Sequence, residues 1–330
     1  MAVSEFNLIR DYLNKPGLTP TPQQAARIPL GIGDDCALLD IPPDKLLAVS
    51  MDTLVAEVHF PGKADPALIA QRALAVNLSD LAAMGAEPLA FTLGLTLPQA
   101  QPDWLESFSR GLEFMVQSYQ CPLIGGDISK GPLSITIQVH GLLDRDRKLT
   151  RSGARVGDLV FVSGALGAAG LAVSLLNNGM SLDKADRLPL HTAYYQPVPR
   201  LNLGQVSAGL ASAGIDISDG LLADLGHICE LSGVGIDVDA SAIPVASAVK
   251  NFMSAMGDKS KGLHLALSAG DDYELLLTVP AAQQELLQQK AAEIAVPLTR
   301  IGRVVAGSRV KCLDAEGREI EVSSQGYRHF

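Results

Sequence analysis

Six times along this chain carboxylates gather where a glycine or an apolar run breaks: GIGDDC, SMDTL, NLSD, GGDIS, DISDG and AGDDYEL. Asp34 and Asp35 are adjacent, and no basic residue stands beside them. Like charges at that spacing repel, and burying them costs several kcal/mol unless they are paired or bound to metal. A fold that carries six such stretches must either leave each in water or gather them around cations. That choice constrains the chain more than its composition does.

Around these stretches apolar strand-like runs alternate with helical patterns. LLAVS (46–50) precedes a helix at 66–84, and LAFTLGLTL (89–97) precedes another at 102–119. CPLIGG and the alternating LSITIQVHGLL (133–143) follow. The polar segment 144–158 then separates a second round: strand DLVFVSG, helices over 166–177 and 200–212, the turn IDISDG, strands GIDVD and YELLLTV (273–279), a helix over 281–295 and short terminal strands. Strands alternating with helices predict an α/β protein with mixed sheets. The expected domains are 1–150 and 151–330.

The helix DPALIAQRALAVNLSDLAAMG is informative. Asp65 and Pro66 suit N-cap and first-turn positions, and Gly85 suits a stop. Leu68, Ile69, Leu74, Val76, Leu78, Leu81 and Met84 make nearly every face apolar, which predicts a buried helix. Asn77 and Asp80 nevertheless share one face inside it. Two partners suit Asp80: an arginine such as Arg72, or a metal ion.

The other stretches carry similar alternatives. GGDISKG and DISDGLLADLGHI each place an aspartate at a turn leaving an apolar strand. Asp219 suits an ordinary helix cap, which leaves Asp216 and the Ser218 hydroxyl unexplained. SMDTLVAEVHF ends a strand with Ser50, Asp52 and Thr53 and then carries His59, either structural or functional. Asp271, Asp272 and Glu274 form a solvated turn unless they face a cation. Hard cations would unify the set, because Mg²⁺ is held by one or two carboxylates together with substrate phosphates.

A net charge of −10 argues against a nucleic-acid surface, which needs clustered Lys and Arg. It permits a phosphate ligand where metal reverses the local sign. Cys36, Cys121, Cys229 and Cys312 are scattered, favouring reduced thiols over disulfides or zinc. Neither a signal peptide nor the ~18-residue apolar run of a membrane span is visible, so a cytoplasmic protein is expected. The P-loop, the dinucleotide fingerprint, the kinase catalytic loop, G-x-S-x-G and H-E-x-x-H are all missing.

GIGDDCALL, SMDTLVAEVHF, ALAVNLSDLAAMGAEP, LIGGDISKGP, LTRSGARVGD, IDISDGLLADLGHI and the terminal GYRHF resemble, in order, the thiamine-monophosphate kinase family. The resemblance implies the two-domain fold shared with aminoimidazole ribonucleotide synthetase and selenophosphate synthetase, whose N-terminal domains pair into a β-barrel across a homodimer. It implies ATP-dependent phosphorylation of thiamine monophosphate to thiamine diphosphate with several Mg²⁺ ions. Position by position, Asp35, Ser50, Asp52, Asp80, Asp127, Asp216 and Asp219 match magnesium ligands. Gly126, Asp127, Arg151 and Ser218 match ATP contacts, and His59, Asp271 and Tyr327 match substrate contacts. Met51 stands where the family often has a hydroxyl residue, and Ala269–Gly270 replaces a glycine pair. No residue is expected to act as a covalent nucleophile. Two rival readings are another ATP-dependent synthetase of the superfamily and a non-catalytic metal- or nucleotide-binding protein.

Overall fold

A computed structural model describes residues 5–182, 184–257, 259–320 and 326. The chain divides into two compact units, one of residues 1–81 and 86–145, the other of residues 82–85 and 146–330.

The first unit opens with a short helix, α1 (Glu5–Leu8), which runs on into a single π-helical turn. Strand β1 (Lys45–Val55) precedes α2 (Pro66–Met84). Strand β2 (Glu87–Leu97), helix α3 (Pro102–Tyr119) and strands β3 (Leu123–Lys130) and β4 (Ser134–Asp144) follow. The strands lie in the order β1-β4-β2-β3. β4 is antiparallel to both β1 and β2, whereas β2 and β3 are parallel, as a crossover through α3 requires. The sheet is open, with β1 and β3 at its edges.

Helix α2 starts where the Ala67 N–H donates to Asp65 Oδ1 (2.9 Å) and stops at Gly85, whose φ of 73° favours glycine. Ile69, Leu74, Leu78 and Leu81 along it are fully buried. Gly111 of α3 lets the two helices touch: a Cβ there would lie 2.2 Å from the Ala67 carbonyl oxygen.

The second unit has a six-stranded sheet in the order β10-β7-β9-β5-β8-β6. Its strands are β5 (Leu159–Ser163), β6 (Ala213–Asp216), β7 (Gly235–Asp239), β8 (Leu275–Val279), β9 (Leu298–Val305) and β10 (Val310–Leu313). Its helices are α4 (Ala168–Asn177), α5 (Leu188–Tyr195), α6 (Leu201–Ser207), α7 (Leu221–Ser232), α8 (Ser247–Ala255), α9 (Lys259–Ser268) and α10 (Gln284–Glu293). Val160, Val162, Ile215 and Leu276 from the sheet pack with Leu221, Leu225 and Ile228 of α7 in one core.

Several sequence expectations shift here. β1 continues to Val55, so Ser50 and Asp52 lie within a strand and not at its end. Asp127 likewise lies inside β3, not in a turn after it. The run after Asp35 forms one isolated bridge, Leu30 with Leu38, because Leu38 is half exposed and has no sheet to join. β8 begins at Leu275, since Tyr273 has a left-handed φ of 50° that a strand cannot accommodate.

Gly111→Ala should destabilise the protein by about 1–3 kcal/mol, because overpacked interiors displace backbone or neighbouring side chains. Urea unfolding checks this, with an unchanged m-value expected.

Candidate active site

In the first unit the sequence-derived residues meet between β1 and α2. Ser50 and Asp52 are two apart on a strand and share one face; Asn77 and Asp80 are three apart on a helix and share one face. Ser50 Oγ donates to Asp80 Oδ2 at 2.5 Å, and the Asp52 N–H donates to Asn77 Oδ1 at 2.9 Å. The Asp52 carboxyl is pushed up to about 6, first by desolvation on its protein side and second by the Asp80 charge, although the residue keeps one side open to water. Arg72 lies eight residues before Asp80, about 12 Å along the helix axis.

His59 ends the tight turn after β1. The Val55 N–H donates to its Nδ1 at 3.0 Å, so the neutral ring carries its proton on Nε2. Glu57 within this turn has φ 64°, and its carboxylate accepts the Gly62 N–H. Asp35 is exposed, with its N–H bonded to Asp34 Oδ1.

Asp127 is not brought to this group within the chain. Asp52 pairs with Ile137, Ile137 with Leu93 and Leu93 with Gly126, placing Gly126 in the same row and on the same face. Asp127 is one residue on and faces the other side, in a row with Gly94, Thr136 and Thr53. Three strand spacings, about 14 Å, separate the two edges. The Asp127 carboxylate accepts the Ser129 hydroxyl at 2.8 Å. Gly126 has φ 146°, and a Cβ there would lie 1.9 Å from the Leu93 carbonyl oxygen, so only glycine fits.

In the second unit Asp216, Ser218, Asp219 and Asp271 come together. Asp216 ends β6 and is buried; Ser218 and Asp219 form the turn into α7. The Asp271 and Tyr273 N–H groups donate to the Ser218 and Ile217 carbonyls at 2.8 Å each. Asp271 and Tyr273 both adopt left-handed backbone, at φ 66° and 50°. Such strain persists where surrounding contacts impose it, often beside functional groups. Gly270 is indispensable, since a Cβ would lie 2.4 Å from the Ser218 carbonyl oxygen. Ala269 in place of a glycine is accommodated because residue 170, facing it, lacks a Cβ.

The acidic trio at 271–274 is not one solvated turn. Asp272 accepts the Gly167 N–H through both oxygens (2.9 and 3.0 Å), capping the entry to α4, and burial raises its pKa well above the usual range. Glu274 is buried and takes the Arg200 guanidinium two-pronged, with Ser163 Oγ as a further donor. Asp271 alone of the three adjoins Ser218 and Asp219.

Arg151 is held apart from this group. Its carbonyl accepts Ser232 Oγ at the far end of α7, about 16 Å of helix axis from the first residue of α7. Tyr327 lies outside the described residues; the preceding Gly326 packs against Ala223 and the Asp219 carbonyl.

Asp224 escaped the sequence reading. It accepts the Asp219 and Gly220 N–H groups at 3.2 and 3.1 Å and is 2% exposed. Its position with Leu221, Leu225 and Ile228 on the buried stripe of α7 was the available signal, the same one that exposed Asp80. Burial first, then the Asp216 and Asp219 charges, push its pKa up to about 8. Asp219, Asp224 and His227 each offer a ligand atom within 4.8 Å of the others, a spacing that admits one cation.

Two sets of acids on strands, turns and buried helices, without a P-loop, belong to a class outside the common nucleotide folds. Residues 33–143 match the N-terminal domain of AIR synthase related proteins, and residues 155–314 match the C-terminal domain. Within that class, the thiamine-monophosphate kinase of Escherichia coli K12 is 42% identical over 331 residues, covering all of this chain and 99% of that one. The crystal structure of thiamine-monophosphate kinase from Stenotrophomonas maltophilia superposes with a TM-score of 0.83 at 38% identity, over 97% of this chain and 98% of that one. AaThiL complexed with AMPPCP and TMP gives 0.78 at 30% identity, over 100% and 99%. The chain belongs to the thiamine-monophosphate kinase family.

The raised pKa of Asp224 carries a sign. With a folded value near 8 against 3.8 unfolded, the folded chain keeps a proton that the unfolded chain releases. Stability in metal-free buffer therefore falls as pH rises from about 4 to about 8 and then levels. Asp224→Asn should flatten this fall, gaining several degrees of Tm relative to wild type between pH 5 and 8. Parallel Tm profiles for the two proteins would contradict the assignment.

Proposed function

We propose that this protein transfers the γ-phosphoryl group of ATP to thiamine monophosphate, giving thiamine diphosphate and ADP. One observation carries the reading: a full-length relative of the same fold has been captured with AMPPCP and TMP together. The acids gathered in each unit of this chain suit that chemistry, because two phosphorylated reactants must be neutralised before they meet.

Mg²⁺ fits the donor set. Ser50, Asp52 and Asp80 in one unit, and Asp216 and Asp219 in the other, offer hard oxygen atoms only. The Asp80 charge beside Asp52 is repulsive without a cation and adds to desolvation, the larger cause, in raising the Asp52 carboxyl. Asp35 and Asp127 are further ligands in this reading. Bound Mg²⁺ would supply charge neutralisation and alignment of the phosphates. Gly126, Asp127, Arg151 and Ser218 are assigned to ATP. His59, Asp271 and Tyr327 are assigned to thiamine monophosphate, with His59 donating through Nε2–H.

The acceptor is a phosphate oxygen, largely ionised near pH 7, so no strong base is needed. That oxygen forms the new bond to the γ-phosphorus while the bond to the β-bridging oxygen breaks, and ADP leaves with the electron pair. Transfer is direct, in a ternary complex, with the protein holding both reactants in line.

We also propose a cytoplasmic homodimer built on the N-terminal sheet; no helix among the described residues is long and apolar enough to cross a membrane. The sheet leaves edge strand β1 uncovered, and Leu47, Val49 and Met51 alternate along its open face at 41, 52 and 57% exposure. A run of exposed large apolar side chains beside an open edge suits burial by a second copy. Val49→Glu should convert the dimer to monomer in sedimentation; an unaltered mass would remove this face from the interface.

Incubation with ATP, Mg²⁺ and thiamine monophosphate should yield thiamine diphosphate by chromatography. Initial-rate lines should intersect, and γ-labelled ATP should leave no acid-stable label on the protein. Parallel lines with kinetically competent labelled enzyme would overturn direct transfer. Asp80→Asn should lower the rate by orders of magnitude, with partial recovery in excess Mg²⁺; lost stability with unchanged Mg²⁺ dependence would return Asp80 to a structural role.

A further inference from the structure

Asn77, with Arg72 and Ser79, is one of three buried polar residues of α2 that no ligand role explains. It is 0% exposed between Val76 and Leu78, both buried. An amide is a poor choice for the middle of a buried helix, because Asn has low helix propensity and a lost partner costs about 1–3 kcal/mol. Here both ends of the amide are satisfied. Nδ2 donates to the Ala73 carbonyl at 2.8 Å, one turn back, and Oδ1 accepts the Asp52 N–H at 2.9 Å. Turning the amide over would set donor against donor and acceptor against acceptor, so the orientation is fixed by its partners.

The second bond crosses between elements, and it lands on the backbone of Asp52. Beside it runs the Ser50 to Asp80 bond. The two bonds leave α2 three residues apart (about 4.5 Å of rise) and reach β1 two residues apart (about 7 Å), so they hold the strand to the helix at two separate points. Together they clamp an edge strand to a buried helix at the one place where the Asp52 and Asp80 carboxyls confront each other. Like charges push such a pair apart, and the two bonds resist that push.

We infer that Asn77 is a positioning residue: it holds the Asp52 backbone against α2 so that Asp52 and Asp80 stand ready for a divalent cation. This rests on the proposed metal role of those two aspartates. Preorganisation of this kind strengthens binding by removing the cost of bringing repelling ligands together. Asn77 touches neither cation nor substrate in this account. Its effect appears in metal affinity, not in affinity for thiamine monophosphate.

The test titrates Mn²⁺ into the nucleotide-free protein, following the free-ion EPR signal, and measures the KM for thiamine monophosphate at saturating Mg²⁺. Asn77→Leu conserves volume and removes both bonds. It should weaken Mn²⁺ binding at least tenfold and leave that KM within twofold. Leu78→Ala, on the same helix and equally buried, controls for lost stability; it should lower Tm and leave Mn²⁺ affinity within twofold. If Asn77→Leu does not fold, Asn77→Ser replaces it, since a serine hydroxyl returns to the Ala73 carbonyl but is too short for β1. Equal shifts in Mn²⁺ affinity for the Asn77 and Leu78 variants would overturn the inference. So would an unchanged affinity in Asn77→Leu when Asp80→Asn loses it. An unchanged affinity in Asp80→Asn would overturn the metal reading itself, and the positioning role with it.

Discussion

Repulsion between carboxylates that the fold holds together is the constraint on which this structure turns. Left to solvent, Asp52 and Asp80 would separate. They stay close because one sits on a strand and the other on a helix whose remaining faces are packed with leucine and alanine. Burial of those leucines, each worth roughly 1.5–3 kcal/mol, outweighs the repulsion of the acids they position. The raised carboxyl of Asp52 reflects desolvation first and the Asp80 charge second. In the proposed reading, a site built in this way is poised for a cation before one arrives, as a chain of net charge −10 needs if it is to handle two phosphorylated substrates.

The second unit uses the same device with different parts. Asp224 interrupts an apolar helical stripe, as Asp80 does, and its burial is tolerated because two backbone N–H groups bind it. Those groups belong to Asp219 and Gly220, so the buried acid shapes the turn that presents its neighbour. Asp272 and Glu274 are also consumed by structure, one capping α4 and the other gripping Arg200. Asp271, between the turn and these anchors, is forced into left-handed backbone. Structural acids thus hold functional ones in place, and one carboxylate cannot be told from another by composition.

Much of this was legible in the chain. The buried helix over 66–84 announced itself through its cap, its glycine stop and its apolar faces, and its intruding Asn77 and Asp80 marked the site. The turn IDISDG was visible as strand into helix. What misled were boundaries: Ser50, Asp52 and Asp127 read as strand ends and lie inside strands, because polarity by itself does not separate a solvent-facing strand position from a turn. The trio at 271–274 read as one cluster, since sequence spacing cannot show that Gly167, Arg200 and Ser163 converge on it from 74 to 111 residues away.

The chain by itself determined which residues are acidic, which helices are buried, where glycine is obligatory and to which family the ordered motifs belong. Those properties follow from local periodicity, capping chemistry and backbone sterics, all of which operate over a few neighbouring residues. Tertiary structure alone decided which acids face one another and which are neutralised by a cap or an arginine. It also set the face on which each lies: Asp52 and Asp127 occupy opposite faces at opposite edges of one sheet because strand register and order place them there. Register and strand order arise from side chains meeting across long separations, and a one-residue slip would turn each of these strand side chains to the other side.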